Sequence, residues 1–122
     1  MTDRISILVV EDEALIRFDI VDQLSEEGFQ VFQAANADEA IALLADVPSI
    51  RVMFTDIDMP GSMDGIKLSA AVRNRWPPVK IIVTSGHRKI DLAKLPYGSV
   101  FFSKPYLHAA VVSSMREKLA AD

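Results

Sequence analysis

The sequence predicts an α/β domain: a parallel five-stranded sheet with helices on both faces. Three observations lead there. Five short runs of strand composition, at 5–10, 29–33, 52–55, 80–84 and 100–102, alternate with stretches whose apolar residues recur at helical spacing. Such alternation builds strand–helix–strand units, and right-handed crossovers leave few ways to wire them. The inner runs are nearly continuous in apolar residues, as parallel strands buried on both faces are. The third observation is size. With 122 residues, half of them hydrophobic and a quarter charged, the chain has the balance of one globular domain with a real core.

Each element has its own reason. Ile5 to Val10 reads as a buried strand that breaks into Glu11-Asp12-Glu13. A helix follows, with Ile16, Ile20 and Leu24 on one face, Arg17, Asp19, Asp22 and Glu26 towards water, and Gly28 as its stop. Phe29 to Gln33 alternates with polar residues and belongs at a sheet edge. Asn36 offers an N-cap with Glu39 three residues on, and Ala37, Ile41 and Leu44 form the stripe of a second helix that Pro48 ends. Val52 to Thr55 runs straight into Asp56, then Ile57-Asp58-Met59-Pro60. After a loop at 61–65, Ile66 to Trp76 reads as a helix with Leu68 and Val72 inward, ended by Pro77-Pro78. Lys80 to Thr84 is the next buried strand, and Arg88 to Leu95 has room only for a short helix before Pro96. Val100 to Phe102 leads to Ser103-Lys104-Pro105, and Leu107 to Leu119 forms the last helix with Leu107, Val111 and Met115 inward.

Composition narrows the function classes. A net charge of −4 lacks the basic footprint of nucleic-acid binding, so no nucleic-acid partner is expected. There is no cysteine, hence no disulfide framework or thiolate metal site. The first strand is too short for a signal-peptide core or a membrane span. No membrane partner and a cytoplasmic location are expected.

The chemistry gathers at strand ends. Glu11 and Asp12 follow the first strand, Asp56 ends the third, Thr84 the fourth, and Lys104 lies just past the fifth. In a parallel sheet these ends share one edge, where ligands bind in open α/β sheets. Converging carboxylates repel unless a cation joins them. Oxygen-only ligands favour a hard ion such as Mg²⁺ (or Mn²⁺). A partly desolvated Asp56 can act as a nucleophile towards phosphorus, with Lys104 as a point charge and Thr84 as a hydroxyl donor for phosphate oxygens. Each residue also has an ordinary explanation: an acidic first helical turn, a β-branched strand residue, a solvated lysine. Their joint placement at successive strand ends is what favours a site. His87, His108, Trp76 and Met63 read as surface or packing residues.

These residues carry a family resemblance along essentially the whole chain. Leu-Val-Val-Glu-Asp-Glu with Glu11-Asp12, Thr-Asp-Ile-Asp-Met-Pro with Asp56, Met63-Asp64-Gly65, Val-Thr-Ser-Gly with Thr84, and Lys104-Pro105 together resemble a receiver domain of a two-component response regulator. The resemblance implies a flavodoxin-like, doubly wound sheet of strand order 2-1-3-4-5. It implies that Asp56 takes a phosphoryl group from a histidine kinase or phosphotransfer protein. Asp12, Asp56 and the backbone carbonyl of Asp58 would ligate the metal, with Glu11 helping. Thr84 and Lys104 would contact phosphoryl oxygens, Thr84 and Phe101 would form the switch, and Lys104-Pro105 would be a cis peptide. Three departures stand out: one extra residue at Gly61-Ser62, a short stretch from Thr84 to Lys104, and Phe101 where the family commonly has tyrosine.

The expected protein is one receiver domain over residues 1–122, without an output domain and without a separate enzymatic substrate. It would promote its own phosphorylation and dephosphorylation. Its signal would leave by contact with an unknown downstream protein, through the last two helices and last strand, or it would serve as a phosphate relay or sink. Two rivals are a haloacid-dehalogenase-like phosphatase using Asp56 and Asp58, and a flavin carrier of the same fold. The first has its acid pair on the wrong strand. The second has carboxylates where a phosphate loop should be.

Overall fold

The structure, a computed structural model, describes residues 4–59, 61, 63–86 and 91–121. Among these residues five parallel strands form one sheet: β1 (Ser6–Val10), β2 (Gln30–Ala34), β3 (Ile50–Asp56), β4 (Lys80–Ser85) and β5 (Val100–Ser103). Their order is β2-β1-β3-β4-β5, so β2 is an edge strand, as its alternating sequence requires. Among the described residues four α-helices cover the sheet: α1 (Ala14–Glu26), α2 (Ala37–Asp46), α3 (Gly65–Arg75) and α4 (His108–Ala120).

The period-two alternation of strand side chains divides the core into two layers. Leu8, Val10, Met53, Ile81 and Val83 pack with Ala37, Ala40 and Leu44 of α2 and Leu68 and Val72 of α3. Ile7, Val9, Val52, Phe54 and Ile82 pack with Ile20 and Leu24 of α1 and Val111, Val112 and Met115 of α4. Trp76 and Met63 lie half-buried against the first layer, as packing residues.

Local signals set the helix ends. Gly28 ends α1 at φ 97°, a left-handed conformation that costs glycine little. Asn36 caps α2 by accepting from the Glu39 N–H at 2.9 Å, while Glu39 accepts from the Ala35 N–H at 2.8 Å.

Several side chains depart from the expected faces. Leu107 is not inward. It is the residue preceding α4 and is 77% exposed. Ile16, in the first turn of α1, is not inward but 37% exposed, and Ile20 and Leu24 further along carry the buried face. Ile41 is half-buried and Ala40 takes the inner position. Arg17 does not simply face water: its guanidinium bonds both Glu11 and Gln33. The helix expected between β4 and β5 is, among the described residues, a single 3-10 turn at Leu92–Lys94 capped by Asp91. Residues 87–90, including His87, lie outside the described residues. His108 opens α4, half-buried.

Candidate functional site

The sheet order places the site. β1 pairs with both β2 and β3, so after β2 the chain crosses over β1 to form β3. The carboxyl ends of β1 and β3 therefore flank a topological switch point, where adjacent connections leave in opposite directions and open a crevice. Glu11-Asp12 leaves one end and Asp56 closes the other. One carboxylate oxygen from each of Glu11, Asp12 and Asp56 lies within 4.8 Å of the others.

Neighbouring strands complete the ring. Asp56 pairs in register with Thr84, and the Ile57 N–H donates to the Thr84 carbonyl at 2.8 Å. The Lys104 N–H donates to the Ser85 carbonyl at 2.9 Å, which fixes the root of the lysine beside β4. Its Nζ lies 3.4 Å from Asp56 Oδ2 and 3.7 Å from Glu11 Oε1. The Lys104-Pro105 peptide is cis, as the resemblance implied.

The two acids at the bottom of the pocket are nearly dry, Glu11 at 3% and Asp56 at 6% exposure. Burial pushes the Glu11 carboxyl up to about 7. A hydrogen bond from the Glu13 N–H and the Lys104 charge oppose that rise, while Asp12 and Asp56 add to it. Burial likewise raises Asp56, against the pull of Lys104. One lysine thus faces two buried carboxylates, Glu11 and Asp56, that disfavour being charged together. Asp56 Oδ1 is buried with no hydrogen-bond partner. A buried, unsatisfied acceptor among acids is costly unless something positive meets it. A divalent cation with oxygen ligands fits this donor set: Glu11, Asp12 and Asp56 can supply carboxylate oxygens from one side and leave room for waters.

Other side chains frame the pocket. Asp58 Oδ2 accepts from the Ser85 hydroxyl at 2.8 Å, so that side chain is turned to β4. Asp64 caps α3 through the Lys67 N–H at 2.9 Å and is structural. Gly65 is needed for space: an added Cβ would lie 2.7 Å from Ile57 Cα and 2.9 Å from the Asp56 carbonyl carbon. Tyr106 packs edge-on against Phe54 at 6.0 Å, and burial, with Glu11, Asp56 and Asp19 nearby, pushes its phenol up to about 12. Phe101 pairs with Val83 and packs in the α2/α3 layer, whereas Phe102 pairs with Thr84 and packs on the α1/α4 side. Phe101 is therefore one register step from Thr84 and leaves the sheet by the opposite face.

A doubly wound sheet with an acidic pocket at its switch point, closed by a lysine and a threonine, defines a flavodoxin-like domain of the kind that handles phosphoryl groups. The chain belongs to the response regulator receiver domain family, whose family profile matches residues 7–106. A putative NtrX-like response regulator of Rickettsia bellii is 38% identical over 90 residues, 73% of this chain and 19% of that protein. Sensor kinase CckA of Brucella abortus is 30% identical over 118 residues, 93% of this chain and 12% of that protein. The crystal structure of a response regulator receiver protein from Sinorhizobium medicae has TM-score 0.90 at 27% identity, covering 98% of this chain and 97% of that one. The chain spans less than a fifth of the length of the two curated relatives. A haloacid-dehalogenase reading finds no support among these matches, and Asp58, its required acid, is engaged by Ser85. Among the described residues, no helix is long and apolar enough to cross a membrane.

Proposed function

We propose that this receiver domain works in two-component phosphorelay signalling, with Asp56 accepting a phosphoryl group from the phosphohistidine of a histidine kinase or phosphotransfer protein. The observation that carries the reading is the state of Asp56. One oxygen leans on Lys104 at 3.4 Å, and the other is buried with no partner. In transfer, an Asp56 oxygen forms the bond to phosphorus while the P–N bond of the donor breaks and the imidazole nitrogen keeps the electron pair. Lys104 Nζ and the Thr84 hydroxyl then meet the phosphoryl oxygens. Glu11, Asp12, Asp56 and the backbone carbonyl of Asp58 would hold Mg²⁺ or Mn²⁺. When bound, that ion supplies the charge that neutralises the transferring oxygens. Hydrolysis reverses the load: water attacks phosphorus and Asp56 leaves as carboxylate.

An open cleft of about 480 Å³, lined by Ile16 and Ile20 of α1 and by Gly86, Lys104, Pro105 and Tyr106, gives a partner's side chain a route towards the pocket. The signal leaves by contact with a downstream protein or by onward transfer. Mass spectrometry after acetyl phosphate and Mg²⁺ should show one added phosphoryl group, absent from Asp56→Asn and from samples treated with chelator. An unmodified wild-type protein would overturn the reading.

Switching is proposed to run from Thr84 to Phe101. Because the two side chains lie on opposite faces, the coupling passes through the backbone of β4 and β5. The Phe101 ring resonances should move when beryllofluoride occupies the pocket, and should stay put in Thr84→Ala. An unchanged wild-type ring would place the switch elsewhere.

A further inference from the structure

We infer that Arg17 is a positioning residue for the acidic pocket, acting through the peptide that joins Glu11 to Asp12; this rests on the proposed metal site. The Arg17 guanidinium spans two elements. Its Nη1 donates to the Glu11 carbonyl at 2.9 Å, and its Nε donates to Gln33 Oε1, on edge strand β2, at 2.9 Å. The opposite side of Glu11 is also held, since its N–H donates to the Ala34 carbonyl at 3.0 Å. Its side chain is held as well, with Oε2 accepting from the Glu13 N–H at 3.0 Å. Glu11 is thus tied to β2 on both sides, through its own N–H and through Arg17 on its carbonyl, and Arg17 supplies the tie nearest Asp12.

The need for such a tie follows from the charges. Glu11, Asp12 and Asp56 converge within 4.8 Å, and repulsion among them works against that convergence until a cation joins them. Proline is absent from the loop, so no fixed φ holds it in place. A planar fork bonded to a carbonyl and to an amide fixes the direction of the peptide plane, which lysine's single ammonium does not. Preorganised ligands need less rearrangement on binding, and loss of such an outer support typically lowers metal affinity about 10- to 100-fold.

The test is a Mg²⁺ titration of the unphosphorylated full chain, followed by the amide shifts of residues 11, 12 and 56. Thermal midpoints in chelator report fold separately. Arg17→Gln and Arg17→Lys should both weaken Mg²⁺ binding by about 10-fold or more. Gln33→Ala, at an exposed position, should weaken it in the same direction but less. At saturating Mg²⁺ the labelling rate of Asp56 should return to that of the wild type, because the reacting groups are untouched. A Mg²⁺ midpoint within about twofold of the wild type in a folded Arg17→Gln would overturn the inference. Full rescue by lysine would overturn the fork geometry. If Arg17→Gln fails to fold, Gln33→Ala decides: an unchanged midpoint there counts against the inference. Failure of the wild type itself to bind Mg²⁺ would remove the metal site instead.

Discussion

At the scale of single residues, the pocket is held in electrostatic tension, and pH should reveal it. Glu11 titrates near 4.5 in an unfolded chain and is pushed up to about 7 by burial in the folded one. Between those values the unfolded chain has released its proton while the folded protein still holds it. The stabilisation is therefore complete below about 4.5 and is lost as pH rises to about 7, by at most about 3 kcal/mol. Asp56 is raised in the same sense. Metal-free wild type should lose thermal stability relative to Glu11→Gln across this window. Mg²⁺, which needs ionised ligands, should cancel the loss and release protons on binding. A wild-type midpoint that gains on Glu11→Gln over the same range would contradict this. Asp56, Asp12, Thr84 and Lys104 were legible as a group because strand ends are legible. The support given by Arg17, Ser85 and Tyr106 was not, since those roles depend on which side chains meet across elements. An arginine in the first turns of an amphipathic helix reads as a solvent-facing charge.

At the scale of elements, the seam between β3 and α3 sets the pocket floor. The Gly65 N–H donates to the Ile57 carbonyl at 3.0 Å, so the first turn of α3 rests on the chain just after Asp56. Alanine at position 65 would gain helix propensity of at most ~1 kcal/mol. Its Cβ would press on main-chain atoms of Asp56 and Ile57 that cannot step aside, as overpacking costing about 1–3 kcal/mol. Gly65→Ala should therefore be less stable and slower to phosphorylate. Gly86→Ala should be tolerated, since its Cβ would sit at an ordinary 3.5 Å from Lys104 Cδ. Equal stability of the two variants would show that the seam is not tight. Most elements could be read from apolar runs and stops, as β3 was from Val52 to Asp56. Exact faces were harder. Leu107 fits the helical period of Val111 and Met115, but it is the N-cap of α4, its backbone is extended rather than helical, and it is exposed.

At the scale of the molecule, the five strands and four α-helices among the described residues leave the β4–β5 crossover with one 3-10 turn in its described part. Arg73 at the end of α3 steadies this connection, donating to the Pro77 carbonyl at 2.8 Å and to the Tyr97 carbonyl at 3.3 Å. The short span between Thr84 and Lys104 signals little room for a helix there. It could not signal the anchor, which comes from a different element. Beside this connection, β4 and β5 still deliver Thr84 and Lys104 to Asp56, because register and not the crossover helix fixes the strand ends. The central claim is that Asp56 is the residue that carries phosphate. Borohydride reduces an aspartyl phosphate to homoserine, so peptide sequencing after phosphorylation and reduction reads the site directly. Homoserine should appear at position 56 and only when Mg²⁺ is present. Homoserine at Asp58 or Asp12, or at no position, would contradict the account.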